Sequence, residues 1–99
     1  MAAYLMADVL PHDVEAYRSS GYLEAAARTA ASHGGVYNAR GGEMRVLEGD
    51  WEPERMVIIE FPSMDHLLAW YHSDEYQEWA PTRQRLAPNS KMVALEGVS

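Results

Sequence analysis

The run Arg55 to Phe61 leaves this chain the fewest options. Met56-Val57-Ile58-Ile59 is β-rich, and side chains alternate across a strand, so the run has two faces. One carries Val57, Ile59 and Phe61, the other Met56, Ile58 and Glu60. Two other strand-like runs split in the same way. Leu5, Ala7 and Val9, with Val93 and Leu95, are purely apolar and belong under helices. Tyr4, Met6 and Asp8, with Asn38 and Arg40, and Met92, Ala94 and Glu96, are mixed. A solvent-facing sheet does not gather Met6, Met56, Ile58 and Met92, and a dry core does not gather Asp8, Arg40, Glu60 and Glu96. An interface with polar edges fits both facts, so a second copy is expected to pack its sheet against this one.

The remaining punctuation supplies the order. A first strand is expected over Tyr4 to Leu10, closed by Pro11. Asp13 is an N-cap for a helix whose small or apolar residues recur at Val14, Tyr17, Gly21, Ala25, Thr29 and His33. Gly21 is its weak point, and Gly34-Gly35 ends it. Val36 to Arg40 is a second strand, Gly41-Gly42 turns the chain toward a short segment at Met44 to Leu47, and Glu48 to Glu54 is an acidic loop. After Phe61, Ser63 caps a helix with a stripe of Met64, Leu67, Leu68 and Tyr71. Ser73 caps a shorter one, Pro81 breaks or restarts it, and Lys91 to Glu96 is a last strand. The order β-α-β-(β)-β-α-β is α+β: the ferredoxin-like split βαβ arrangement, an antiparallel sheet with its helices on one face. Residues 1–99 are read as a single domain, since domains run to about 100–150 residues.

Charge removes several partners. Eight Lys plus Arg stand against fifteen Asp plus Glu, a formal charge of −7. Nucleic acid and anionic membrane both require basic surplus, so neither is an expected partner. No uncharged stretch approaches the roughly 20 residues of a membrane helix, and no basic leader precedes the first apolar run, so a cytoplasmic location is expected. The absence of cysteine excludes disulfides and thiolate chemistry. No His-Glu-x-x-His occurs and no two histidines are four apart, so no metal site is expected. The glycine pairs do not form phosphate loops. No cofactor is expected.

Several blocks, in order, resemble one family. They are Tyr17-Arg18, Gly34-Gly35, Arg40-Gly41-Gly42, Glu48-Gly49-Asp50-Trp51, Arg55, Ile59-Glu60-Phe61-Pro62-Ser63, Trp70-Tyr71-His72-Ser73, Glu75-Tyr76-Gln77, Arg83 and Glu96-Gly97. Over roughly Tyr4 to Val98 the chain is similar to the small bacterial proteins grouped as domain of unknown function 1330. The resemblance implies a dimeric α+β barrel, related in fold to cofactor-independent monooxygenases, polyketide cyclases and chlorite-dismutase-like haem proteins. It implies no reaction. The fold relation leaves one haem alternative, with His66 or His72 as axial ligand. The stretch Ser19 to Glu24 departs from the family's Val- and Pro-rich helix, so a ligand held there would differ from the relatives' ligands.

Three constellations are candidates for chemistry. Arg40 with Glu60, Asp8 and Asn38 shares the mixed face. Arg40 would hold a carboxylate or enolate oxygen and Glu60 would act as general base; the alternative is an ion pair that fixes a dimer's register. His33 sits at a helix C-terminus beside Tyr37 and Tyr22, where the dipole favours the protonated ring; it is either a proton donor or a capping residue. Trp70, Tyr71, His72, Tyr76 and Trp79 form a polar-aromatic segment. With Tyr22, Tyr37 and Asn38, Trp70 and Tyr76 are the expected ligand-binding groups, in a pocket for a flat aromatic molecule or simply in the core. Two functions follow. One is cofactor-independent isomerase, cyclase or monooxygenase-like activity on a small aromatic or enolisable molecule, with Arg40, Glu60 and His33 as the catalytic groups. The other is a non-catalytic small-molecule-binding or structural dimer.

Overall fold

The computed structural model describes residues 1–98. Side chains end most helices where the sequence indicates. Asp13 accepts from the Ala16 N–H at the start of α1 (Val14–Ser19), Ser63 from His66 N–H before α3 (Met64–Tyr71), and Ser73 from Tyr76 N–H before α4 (Asp74–Gln77). The first helical stretch is two helices. Gly21 adopts φ 90°, which only glycine takes without strain, and starts α2 (Tyr22–Ser32) in a new direction. A Cβ there would also lie 3.1 Å from the Trp79 ring. Pro81 sits in the first turn of α5 (Ala80–Leu86), where its missing N–H has no partner to lose.

The strands are β1 (Ala3–Asp8), β2 (Val36–Arg40), β3 (Met56–Phe61) and β4 (Lys91–Glu96). They form one antiparallel sheet in the order β2-β3-β1-β4. With the helices on one face this is the ferredoxin-like α+β arrangement. Met44 to Leu47 has no regular structure and belongs to a long connection between β2 and β3. No helix among the described residues is long and apolar enough to cross a membrane.

The core lies between sheet and helices. Leu5, Ala7, Ile59 and Phe61 meet Tyr22, Ala26, Leu67, Trp70 and Tyr76 there. The face of β1 and β3 under the helices is the one alternation assigns. In β4 the assignment is inverted. Ala7 pairs with Met92 and Leu5 with Ala94, so Met92 and Ala94 are on the helix side, while Met6 opposite Val93 and Tyr4 opposite Leu95 place both of those outside. Val93 is 59% and Leu95 54% exposed, and Glu96, opposite Ala3, leaves the mixed face altogether. Both parities of this strand are apolar, so alternation alone does not choose between them; pairing with β1 does.

The open face carries Val36, Ile58, Met6 and Met56 beside Val93 and Leu95. The β2–β3 connection flanks it, with Met44, Val46, Leu47 and Trp51 exposed. Asp8 ties that connection down. Its carboxylate is buried and accepts from Trp51 Nε1 at 3.2 Å, Glu54 N at 3.1 Å and Arg55 N at 3.4 Å. It is a loop anchor, not a partner of Arg40.

Candidate functional site

A cavity of about 30 Å³ remains between the sheet and the first helices, walled by Tyr17, Tyr22, Tyr37, Val57 and Trp70. It has room for a few waters, at the roughly 10–15 Å³ one water requires. It continues outward, because Leu23, Arg40 and Arg55 line both it and a surface cleft of about 410 Å³. A second cleft of about 230 Å³ shares Tyr17, Leu23 and Arg55 with it. The outer cleft, at about 410 Å³, is of the size that small-molecule sites have, and the chamber behind it is a small apolar extension.

Arg40 reaches this site through a bulge. Tyr37 pairs with Ile59, but Ala39 pairs with Ile58 and Arg40 with Val57, so one residue is unmatched between Tyr37 and Ala39. Asn38 and Ala39 both stay on the open side, and Arg40 turns to the helix side with Tyr37. Its guanidinium carbon stands 4.9 Å from the centre of the Tyr37 ring, a cation–π distance. The expected Arg40–Glu60 pair therefore does not exist: the two lie on opposite faces of the sheet. Glu60 instead accepts from Asn38 Nδ2 at 3.0 Å on the open face, so neither Asn38 nor Glu60 lines the cavity. Simple alternation misses this because a bulge leaves no residue-type signature here.

Arg55 is fixed by its backbone. Its N–H donates to Asp8 and its carbonyl accepts from Val9 N–H at 3.0 Å. The guanidinium lies over Gly41, whose φ is 64° and where a Cβ would be 3.0 Å from Nη1. Arg55 Nε is buried without a hydrogen-bond partner. Arg18, in the last turn of α1, lines both outer clefts. Among the described residues the one ion pair within 4.0 Å is Arg45 with Glu43, so Arg18, Arg40 and Arg55 have no carboxylate partner.

The phenols inside are neutral donors. Burial pushes the Tyr17 hydroxyl up to about 12, against the opposing pull of Arg55 and Arg83. Burial and then Tyr76 hold Tyr22 well above the ordinary range; their hydroxyls share a 2.7 Å hydrogen bond. Burial also raises Tyr37, more than Arg40 lowers it. Behind them Arg83, 7% exposed, comes from α5 with its Nε unpartnered. Burial works against its charge, and the Tyr76, Tyr22 and Tyr71 phenols more than compensate.

Tyr22, Tyr37, Trp70 and Arg40 thus meet around the cavity, and Tyr76 stands one hydrogen bond behind Tyr22. Trp70 is held by its indole N–H, which donates to the buried Thr29 Oγ1 at 3.0 Å. His33 is elsewhere: it is the C-cap of α2, with Nδ1 3.1 Å from the Thr29 carbonyl oxygen. His66 bonds the Ser63 cap at 2.7 Å, and His72 caps α3 at the surface. Sequence reasoning missed Arg18 and Arg55 as a pair, and placed Tyr17 only among the recurring apolar positions of its helix; it is buried in the core and also walls the cavity. Their convergence comes from the long β2–β3 connection returning to the end of α1, for which no local signal exists.

The comparisons with known proteins concern fold and family. A model described as "Domain of unknown function (DUF1330)" matches residues 2–98. No curated protein matches the chain. A protein of unknown function from Rhodopseudomonas palustris superposes with a TM-score of 0.75 at 19% identity, covering 99% of this chain and 83% of that one. SnoaB, a cofactor-independent oxygenase from Streptomyces nogalater, gives 0.70 at 16% identity over 99% of this chain and 94% of its own. A protein from Mycobacterium tuberculosis gives 0.65 at 14%, over 100% and 97%. At these identities the likeness is one of fold.

Proposed function

We propose, on the premise that the chain belongs to the DUF1330 family, that it binds a small aromatic or enolisable molecule between its sheet and its first helices. One observation carries this: a small chamber of about 30 Å³ walled by Tyr17, Tyr22, Tyr37 and Trp70 shares Leu23, Arg40 and Arg55 with a cleft of about 410 Å³, large enough for the body of a small molecule. The phenols there are uncharged donors and suit a carbonyl or enol oxygen. Among the described residues no carboxylate and no imidazole lines that chamber. The reading therefore supports cofactor-independent chemistry only on a molecule acidic enough to ionise without a protein base, whose oxyanion the phenols then stabilise. SnoaB, of the same fold, is a cofactor-independent oxygenase. The missing base equally favours a second reading, a non-catalytic binding protein.

The open face supports a homodimer as part of the same proposal. Val36 is 61% exposed and Val93 and Leu95 more than half exposed on one sheet surface, with Leu47 at 91% beside them. A second copy facing it would close an α+β barrel.

A titration of labelled protein with small phenols and 1,3-dicarbonyls tests the site. Amide shifts are expected at Leu23, Tyr37 and Val57. Shifts confined to the open face would refute it, and turnover of any bound dicarbonyl would separate the two readings.

A further inference from the structure

We infer that the ligand of this site carries an acid group, bound as its anion across Arg40 and Arg55 with Arg18 at the rim. The inference rests on the cavity reading above and adds the ligand's charge to it. The chain as a whole is strongly acidic, −7 from fifteen acids and eight basic residues. Of its seven arginines only Arg45 has an acidic partner within 4.0 Å among the described residues, so convergence, not the lack of a partner, singles out Arg18, Arg40 and Arg55. These three come from separate elements, α1, the end of β2 and the residue before β3, and none has an acidic partner within 4.0 Å among the described residues.

The two inner arginines are also positioned before any ligand arrives. Arg40 is stacked on Tyr37 at 4.9 Å, and Arg55 is held between Asp8, Val9 and the bare backbone of Gly41. Stacking and backbone anchoring leave their N–H edges committed to nothing, and Arg55 Nε is buried with its hydrogen-bond capacity unused. A guanidinium is planar and presents paired donors that match a carboxylate's two oxygens. Arg40 and Arg55 line the chamber and its mouth together. The inner chamber has room for a few waters only, so the geometry fits a flat acid whose body lies in the outer cleft of about 410 Å³, against Leu23 and Ala27, with its acid group across Arg40 and Arg55. Glu24 and Glu54 line the two outer clefts beside these arginines. They repel a second negative charge farther out, which favours a monoacid over an extended polyanion.

Benzoate and benzamide are the test pair, since they share shape and differ in charge. Binding is followed by amide shifts of the labelled full chain, for wild type and for Arg40→Met, Arg55→Met and Arg40→Lys. Benzoate is expected to bind about tenfold or more tightly than benzamide, as two charge-assisted hydrogen bonds imply. That preference should vanish in both Met variants and partly survive in Arg40→Lys, because lysine keeps the charge and loses the fork. Arg40 is exposed, so its variants fold whatever Arg55→Met does. Equal affinity for the two compounds overturns the acid assignment and leaves the cavity reading standing. A benzoate preference unchanged in the Arg40 variants overturns the assignment as well. If neither compound, up to its solubility limit, shifts Leu23, Tyr37 or Val57, both the assignment and the cavity reading fail.

Discussion

The Thr29→Val substitution removes the hydroxyl that holds Trp70 in the cavity wall. Thr29 is buried on α2; its hydroxyl donates to the Ala25 carbonyl at 2.7 Å and accepts from Trp70 Nε1 at 3.0 Å. Trp70 is 1% exposed and packs at 4.3 Å ring separation on Tyr76 and 5.5 Å on Phe61, so its indole N–H is buried with Thr29 Oγ1 as its partner. Valine keeps the branched shape but removes the acceptor. An orphaned buried donor costs about 1–3 kcal/mol, and the added methyl returns less than about 1 kcal/mol. A net loss of about 1–2 kcal/mol is expected, or roughly 5–15 °C in Tm at the ~4–8 °C per kcal/mol of a domain this size. The control is Thr29→Ser, which keeps the hydroxyl and loses one methyl, about 0.8 kcal/mol. Urea unfolding at constant protein concentration measures both. Hydrophobic burial alone ranks valine above serine, and the hydrogen bond ranks serine above valine. A valine variant as stable as wild type would refute the reasoning.

Val93→Asp, on the open face, is expected to yield a monomer by sedimentation velocity where wild type sediments as a dimer; a wild-type monomer at micromolar concentration removes the dimer proposal. Gly35→Ala should destabilise by about 1–3 kcal/mol through overpacking, because its Cβ would meet the Ala30 carbonyl oxygen and the Phe61 ring, both at 2.9 Å; chemical denaturation reads this directly. The buried Tyr17 hydroxyl is raised to about 12 from an ordinary 10.0, so folding favours its neutral form. Its contribution is present in full below pH 10 and is lost as pH rises toward 12, when the unfolded chain ionises first. Tyr17→Phe should therefore flatten the stability decline in that window, and a decline identical to wild type would contradict it.

Much of the architecture was legible because local signals agreed with each other. Asp13, Ser63 and Ser73 cap helices as their types suggest, and Val57, Ile59 and Phe61 alternate against Met56 and Ile58 with one set more apolar. Alternation failed where two faces had equal apolarity, as in Met92 and Ala94 against Val93 and Leu95. It failed again where backbone irregularity outranked side-chain type, which separated Arg40 from Glu60. Tyr22, Tyr37 and Trp70 were found by residue chemistry, since a polar aromatic needs a partner wherever it is buried. Arg18 and Arg55 were not grouped, because thirty-seven positions separate them and only the folded connection brings both to one cleft.

The unmatched residue in β2 has a consequence beyond this one chain. If the same five residues alternated strictly from Val36, with none unmatched, Arg40 would stand with Val36 and Asn38 on the open face instead of at the chamber. No side chain would have changed identity, yet a cation would have left the chamber and joined the exposed apolar face of the sheet. In a fold of this kind, the count of backbone units ahead of a residue assigns its work as firmly as its chemistry does. The presence of one unmatched position therefore decides which side of the sheet presents this cation.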